Sequence, residues 1–350
     1  MLPAFCIPEP HTEVFIWESR GGNKVIYSLV DGNKPLLAAI GLLAAFAGTC
    51  FFLTKLSAYL PKDAGREFAH DGKLSAGKPR GAGIIFVLVF AAAALIFVPF
   101  EREICIYLVL VAAEMLTGYM DDASPHPWGE YKKGLLDLII AVVLAATFLN
   151  FNSNTIEIAT LGIRVTIPPV LFGILTVVLV WGSINVTNCT DGVDGLSGTL
   201  AIISLMTIYV IDNIRGVTGS FSYLILLFVI CILGYLWYNA TPSRLMMGDA
   251  GSRAMGIFIS IAVLKSGCPL LYLPAAAVII LDGGLGLLKV ALLRFLKIHI
   301  LRNVRTPLHD YVRKGKGWSN TQTVFRFAII QIVISVAVVY LLLSRQFGGL

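Results

Sequence analysis

Ten long apolar segments, at roughly 35–60, 82–100, 104–120, 134–150, 168–186, 199–214, 221–239, 254–266, 270–294 and 323–344, dominate this sequence. Backbone that enters lipid must satisfy its own hydrogen bonds, so only helices and closed barrels cross a membrane. A crossing helix needs about 20 apolar residues. These runs are uniformly apolar and do not alternate as barrel strands do. They predict an all-α integral membrane protein with about ten transmembrane helices. Charged residues make up 14% of the chain, against about 25% in soluble domains. The eighth segment is short and is bounded by Lys265.

One polytopic domain is expected over residues 35–350, after an extracytoplasmic N-terminal segment, 1–34, with a short helix or strand around Val25 to Val30. The first apolar run begins only near Pro35, so no cleavable signal peptide is expected. The six cysteines are scattered and none forms a CxxC pair, which indicates neither a zinc site nor a disulfide framework. Thr155 to Pro169 alternates around Leu161-Gly162 and predicts a short periplasmic β-hairpin.

Charge sets the orientation. With ten spans both termini share a side, and placing them outside puts fifteen Lys and Arg in the inner connections against seven outside. That is the positive-inside bias. It accounts for the net charge of +6 without a nucleic-acid partner.

The same orientation brings three acidic patches to the cytoplasmic face. Asn185 to Leu196 (NVTNCTDGVDGL) lies between two apolar runs, and Asp191 and Asp194 are spaced to share one side of a helical turn. Asp121-Asp122 closes the third apolar run, and Asp249 follows the seventh in Met246-Met247-Gly248-Asp249-Ala250-Gly251-Ser252. Such residues also make ordinary helix caps and solvated loops. Carboxylates at membrane level favour a functional reading. Lys62, Arg66, Lys73, Lys78 and Arg80 crowd the first inner loop, and its Gly77-Lys78-Pro79-Arg80-Gly81-Ala82-Gly83 turn reads equally as a phosphate cradle or a topology-setting loop. His309 lies in the last inner loop, among Arg313, Lys314 and Lys316. Aspartates with Asn and water suit Mg²⁺, a hard cation that often binds substrate phosphates too. Lys and Arg complement the remaining phosphate charge. The composite predicts phosphoryl transfer at a membrane surface.

At these residues the chain resembles the polyprenyl-phosphate N-acetylhexosamine-1-phosphate transferases. The resemblance rests on GYMDD (118–122), NVTNCTDGVDGL (185–196), YNATPSRLMMGDAGS (238–252) and PLH…GKGWS…RF (307–327), and covers about residues 35 to 344. The Pro-x-His loop with Gly-Trp-Ser and Arg-Phe is closer to the bacterial branch, the phospho-N-acetylmuramoyl-pentapeptide transferases. That branch implies a transferase of peptidoglycan synthesis and cell wall biogenesis, multi-pass in the bacterial inner membrane, with its active site cytoplasmic. It would move phospho-MurNAc-pentapeptide from UDP-MurNAc-pentapeptide to undecaprenyl phosphate, giving lipid I and UMP, with Mg²⁺ as cofactor. A homodimer is compatible with it.

Residue by residue, the resemblance implies Asp249 as the principal Mg²⁺ ligand. It places Asp121 and Asp122 at the metal and the lipid phosphate, one of them a candidate base, with Lys133 and His309 also catalytic. Asn185, Asn188, Asp191, Asp194 and Asn239 would bind the nucleotide and diphosphate. Lys73, with Lys78 as an alternative, would fill the first-loop lysine position. The chain departs from the family in three places. Three consecutive histidines are His309-Asp310-Tyr311 here, Thr-Pro-Thr-x-Gly-Gly is Lys78-Pro79-Arg80-Gly81-Ala82-Gly83, and a Phe before the Gly-Asp pair is Met246.

Two other functions fit part of the pattern. One is transfer of GlcNAc-1-phosphate, or a related sugar phosphate, from its UDP carrier to a polyprenyl phosphate. The other is ion-coupled transport, which would use the in-span charges Glu114, Asp137, Asp282 and Lys289. The ninth segment is the candidate wall of a lipid groove, and its Gly283-Gly284-x-Gly286 reads equally as part of that groove or as a site of close helix packing.

Overall fold

The computed structural model describes residues 34–65, 75–126, 128–300, 304–346 and 348. The N-terminal segment 1–33 and Lys73 lie outside the described residues. The chain is mostly helical. In order it forms α1 (Lys34–Leu56), α2 (Gly83–Phe97), α3 (Arg102–Asp122) and α4 (Glu130–Phe151). The hairpin β1 (Thr155–Ile158) and β2 (Ile163–Thr166) follows, then α5 (Pro169–Thr190), α6 (Leu196–Ile214), α7 (Ser220–Asn239) and α8 (Gly248–Lys265). The bent pair α9 (Pro269–Ala275) and α10 (Ala277–Leu296), then α11 (Leu308–Lys316) and α12 (Asn320–Gln346), complete it.

Each predicted apolar segment is helical, but the count of ten crossing helices is corrected. Among the described residues, seven helices are long and apolar enough to cross a membrane, or eight if α9 and α10, bent by 73°, form one span. Helix α2 has 15 residues, about 22 Å at 1.5 Å per residue, short of a hydrocarbon core of about 30 Å. Helix α8 carries Asp249 and Arg253 in its first two turns, and every residue from Gly248 to Leu264 is buried. It is enclosed by protein, packed against α2, α3, α5 and α6. A helix without a lipid face need not be continuously apolar.

Close approach at α8 is what positions the site. A Cβ on Gly118 of α3 would stand 2.5 Å from the Asp249 carbonyl carbon. Only glycine lets the end of α3, with Asp121 and Asp122, lie against the start of α8. The outer helices instead turn large apolar side chains outward, among them Leu43, Val109, Val142, Val178 and Val333.

The predicted hairpin forms, antiparallel with Thr155 opposite Thr166 and Ile158 opposite Ile163. It packs at the end of the bundle away from the acidic patches. There Glu157 N donates to Gly267 O at 2.8 Å, and Arg345 Nη1 donates to Ala159 O at 2.6 Å.

Helix α10 contains two π-helical turns, Ile280–Gly284 and Leu292–Leu296. Such turns widen a helix and are frequent at functional sites. A Cβ on Gly283 would collide with the Val186 carbonyl, whereas Gly284 and Gly286 would make ordinary contacts with Val186 and Thr306 at 3.4 and 3.5 Å. Gly283 is therefore a packing residue between α10 and α5. The exposed apolar side chains Leu281, Leu288, Val290 and Leu293 belong to the same helix.

Candidate active site

The acidic patches converge because helices α3, α5 and α8 all place the relevant terminus at one end of the bundle. Asp121 and Asp122 are the last residues of α3. Asp191 follows the last residue of α5, and Asp194 lies in the turn before α6. Asp249 is in the first turn of α8.

The junction before α8 needs its glycine. Gly248 has φ +67, and a Cβ there would collide with the Asp122 carboxylate. Asp122 Oδ2 accepts from Ala250 N at 3.1 Å, which satisfies one of the free amides at the start of α8. Asp121 Oδ1 accepts from Trp128 N at 2.6 Å.

Two cations tie these carboxylates together. Arg80 donates through Nε to Asp122 Oδ1 at 2.8 Å, through Nη1 to Asp63 Oδ1 at 3.4 Å and through Nη2 to Asp249 Oδ1 at 3.5 Å. Lys133 Nζ pairs with Asp121 and donates to Asp249 Oδ2 at 3.1 Å. Burial works against the charge of Arg80, but Asp122, Asp249 and Asp63 hold its pKa above the ordinary arginine value.

A cavity of about 140 Å³ opens beside Asp249, and Asp63, Arg80, Asn188, Asp191, Asp194 and Asn239 contribute to its wall. Asn188 Nδ2 donates to Ser252 Oγ at 3.0 Å. Asn239 acts as a clamp: its Oδ1 accepts from Gly195 N at 2.7 Å and its Nδ2 donates to Leu245 O at 2.9 Å. That bond fixes the turn carrying Asp191 and Asp194, where Gly195 has φ 82. Asp194 Oδ2 accepts from Ser243 N at 3.3 Å and lies 3.8 Å from Lys78 Nζ. Asp191 is half-buried. Desolvation, then Asp249, Asp122 and Asp194, push its pKa up to about 7 against the pull of Arg80.

His309 reaches the same region from α11. Asp282, in the first π turn of α10, grips it twice: His309 N donates to Oδ1 at 2.7 Å, and His309 Nδ1 lies 2.8 Å from Oδ2. The Nε2 edge of the ring faces Gly192, where a Cβ would collide with it.

Asn185 is placed elsewhere. Its Nδ2 donates to Asp137 Oδ2 at 3.1 Å and to Trp181 O at 2.9 Å, joining a buried ionic set one turn beneath the site. There Arg253 Nε donates to Glu114 Oε1 at 2.8 Å and Nη2 pairs with Asp137. Two of the charges a transport pathway would use are thus paired inside the bundle, Asp282 is committed to His309, and Lys289 Nζ donates to Val304 O at 2.9 Å.

Asp63, Arg80 and Asp282 are the members of this site that reading the sequence missed. Arg80 was visible only as one basic residue of a crowded loop. An in-span Asp and a lone His, each needing a partner, were the available signal for the Asp282–His309 pair.

Among the described residues, no three His, Cys, Asp or Glu converge as a preformed metal centre. The donor set is nonetheless one a hard cation accepts. Asp63, Asp121, Asp122, Asp191, Asp194 and Asp249 outnumber Lys78, Arg80 and Lys133 in the ion pairs and wall described above. All offer carboxylate oxygen, the ligand Mg²⁺ prefers, with substrate phosphates commonly completing its shell.

The glycosyl transferase family 4 model matches residues 104–267, the stretch that carries Asp121, Asp122, Lys133, Asp191, Asp194 and Asp249. The chain is 40% identical over 332 residues to the phospho-N-acetylmuramoyl-pentapeptide-transferase of Treponema pallidum (strain Nichols), covering 90% of this chain and 92% of that one. It is 28% identical over 274 residues to the enzyme of the same name from Symbiobacterium thermophilum, covering 72% and 78%. With that identity over nearly the whole of both chains, this protein belongs to the phospho-N-acetylmuramoyl-pentapeptide transferase family.

Proposed function

We propose that this chain transfers phospho-MurNAc-pentapeptide from UDP-MurNAc-pentapeptide to undecaprenyl phosphate, giving lipid I and UMP in peptidoglycan synthesis. The observation that carries the reading is the meeting of Asp121, Asp122 and Asp249, from two helix ends, with Arg80 and Lys133 beside one polar cavity. The relatives' names supply the substrates.

In the reaction, an oxygen of the lipid phosphate attacks the sugar-bearing phosphorus of the donor. The bond from that phosphorus to the bridging oxygen breaks, and UMP leaves with the electron pair. A phosphate monoester has a second pKa near 6 and is largely ionised at pH 7, so Asp121 or Asp122 has little proton to remove. Asp249, with Asp121 and Asp122, would hold Mg²⁺, which neutralises charge on the diphosphate. Lys133 keeps Asp121 and Asp249 together, and Asn188, Asp191 and Asp194 line the space for the nucleotide diphosphate. His309, oriented by Asp282, presents Nε2 toward the Gly192 side of the cavity wall. Positioning and charge neutralisation supply most of the rate in such transfers.

Placement in a bacterial inner membrane with the site facing the cytoplasm belongs to the same proposal. It is supported by the Lys and Arg of the connections at this end of the bundle. The test is UMP release from UDP-MurNAc-pentapeptide with undecaprenyl phosphate and Mg²⁺, run beside UDP-GlcNAc. Release from UDP-GlcNAc alone would move the chain to the sister activity.

A further inference from the structure

The proposed function leaves a conflict at its own carboxylates. All six oxygens of Asp121, Asp122 and Asp249 already have a donor. Lys133 takes one oxygen of Asp121 and one of Asp249, and the amides of Trp128 and Ala250 take one each of Asp121 and Asp122. Arg80 takes the remaining oxygens of Asp122 and Asp249. A divalent cation arriving at Asp122 and Asp249 meets a guanidinium on the oxygens it needs.

The geometry makes Arg80 the group that yields. Its backbone is fixed, with N donating to Pro61 O at 2.8 Å, so any change is in the side chain. That side chain makes one short contact, 2.8 Å to Asp122, and two long ones, 3.5 Å to Asp249 and 3.4 Å to Asp63. It is spread over three carboxylates and locked in a bidentate pair with none. A guanidinium fork matches phosphate oxygens bidentately, and Arg80 lines the cavity where a diphosphate would lie.

We propose that Arg80 is an exchangeable counter-ion. It holds Asp122 and Asp249 while the cavity is without substrate, and passes to the diphosphate of the UDP-linked donor as the cation binds. This rests on the reaction proposed above and adds a consequence that reading does not contain. The substrate-free protein binds divalent cations weakly, and cation and nucleotide reinforce one another through one side chain, a coupling that must be reciprocal.

The test uses Mn²⁺ as a paramagnetic probe, titrated into the full chain in detergent without nucleotide, with bound ion read by electron paramagnetic resonance. Arg80→Met should bind Mn²⁺ at least tenfold tighter than wild type. At saturating Mg²⁺ the same variant should bind UDP at least tenfold more weakly. A merely structural arginine would not move the two affinities in opposite directions. Arg80→Gln, uncharged but still able to hydrogen bond, should behave like the Met variant, and carries the measurement if that variant fails to fold. Equal Mn²⁺ affinity in wild type and variant would overturn the proposal while leaving the transferase reading intact, provided that wild type still releases UMP. Absence of UMP release from wild type would overturn the transferase reading itself.

Discussion

Two clusters of buried charge sit about one turn apart on α8, and they behave oppositely. The upper one, around Asp249, holds more carboxylates than cations and borders a cavity. The lower one, Arg253 with Glu114, Asp137 and Asn185, is sealed inside the bundle with its guanidinium paired to both acids. The residue types are the same. An acid enclosed with its partners ties helices together, and the lower cluster joins α3, α4, α5 and α8. An acid beside open space can exchange its partners for a ligand. Carboxylates outnumber cations in both clusters, so what separates a site from a strut is the open volume beside it.

The largest difference between the two clusters is expected at Asp249. Asp249→Asn should lower turnover at least a thousandfold, about 4 kcal/mol of barrier, with size-exclusion behaviour and thermal stability close to wild type. A loss under about tenfold in UMP release would remove Asp249 from the reaction. Arg253→Met should do the reverse. It leaves Glu114 and Asp137 buried without their cation, at a cost of about 3–5 kcal/mol, visible as a lowered thermal-unfolding midpoint in detergent. If it instead matched Asp249→Asn in activity at full stability, the distinction between the clusters would collapse.

Asp282→Asn tests the helper of His309. It loses the charged acceptor for both bonds and should cost ten- to a hundredfold in kcat, about 1.4 to 2.7 kcal/mol. The KM for the UDP-linked donor should stay within about threefold. An unchanged kcat would mean that His309 serves packing alone.

The smallest effect concerns pH. Asp191 is raised from 3.8 to about 7, so the folded protein keeps a proton that the unfolded chain loses. Its stabilising contribution is full below about 4 and disappears as pH rises toward 7. A nearby cation favours the ionised form, so the Mg²⁺ requirement of UMP release should ease as pH rises from 6 to 8, by at most about tenfold per unit for one proton. Asp191→Asn should flatten that dependence. A steeper dependence in the variant would assign the proton elsewhere.

Much of the site was legible because its signals are local. Asp121-Asp122, Asp191, Asp194 and Asp249 each lie within a few residues of the end of an apolar run, and one orientation of the runs brings them to one face. The partners were not legible, since they lie far away in the chain. Arg80 meets Asp122 across 42 positions and Asp249 across 169, and Asp282 meets His309 across 27. Asn185 shows the converse. It belongs to the acidic stretch by sequence, but it lies almost one helical turn further from the site than Asn188 and bonds to Asp137 instead.

By itself the sequence determined the membrane class, the helical segments, the hairpin and the acidic ends, because each follows from hydropathy and turn chemistry over a short window. Only the tertiary structure decided how many helices are long and apolar enough to cross, and which charges are spent on one another. Helix α8 is the reason for the first. Enclosed on all sides, it carries Asp249 and Arg253 where a lipid-facing helix could not. Coulomb pairing in a low-dielectric interior is the reason for the second, since it acts through space and is indifferent to distance along the chain.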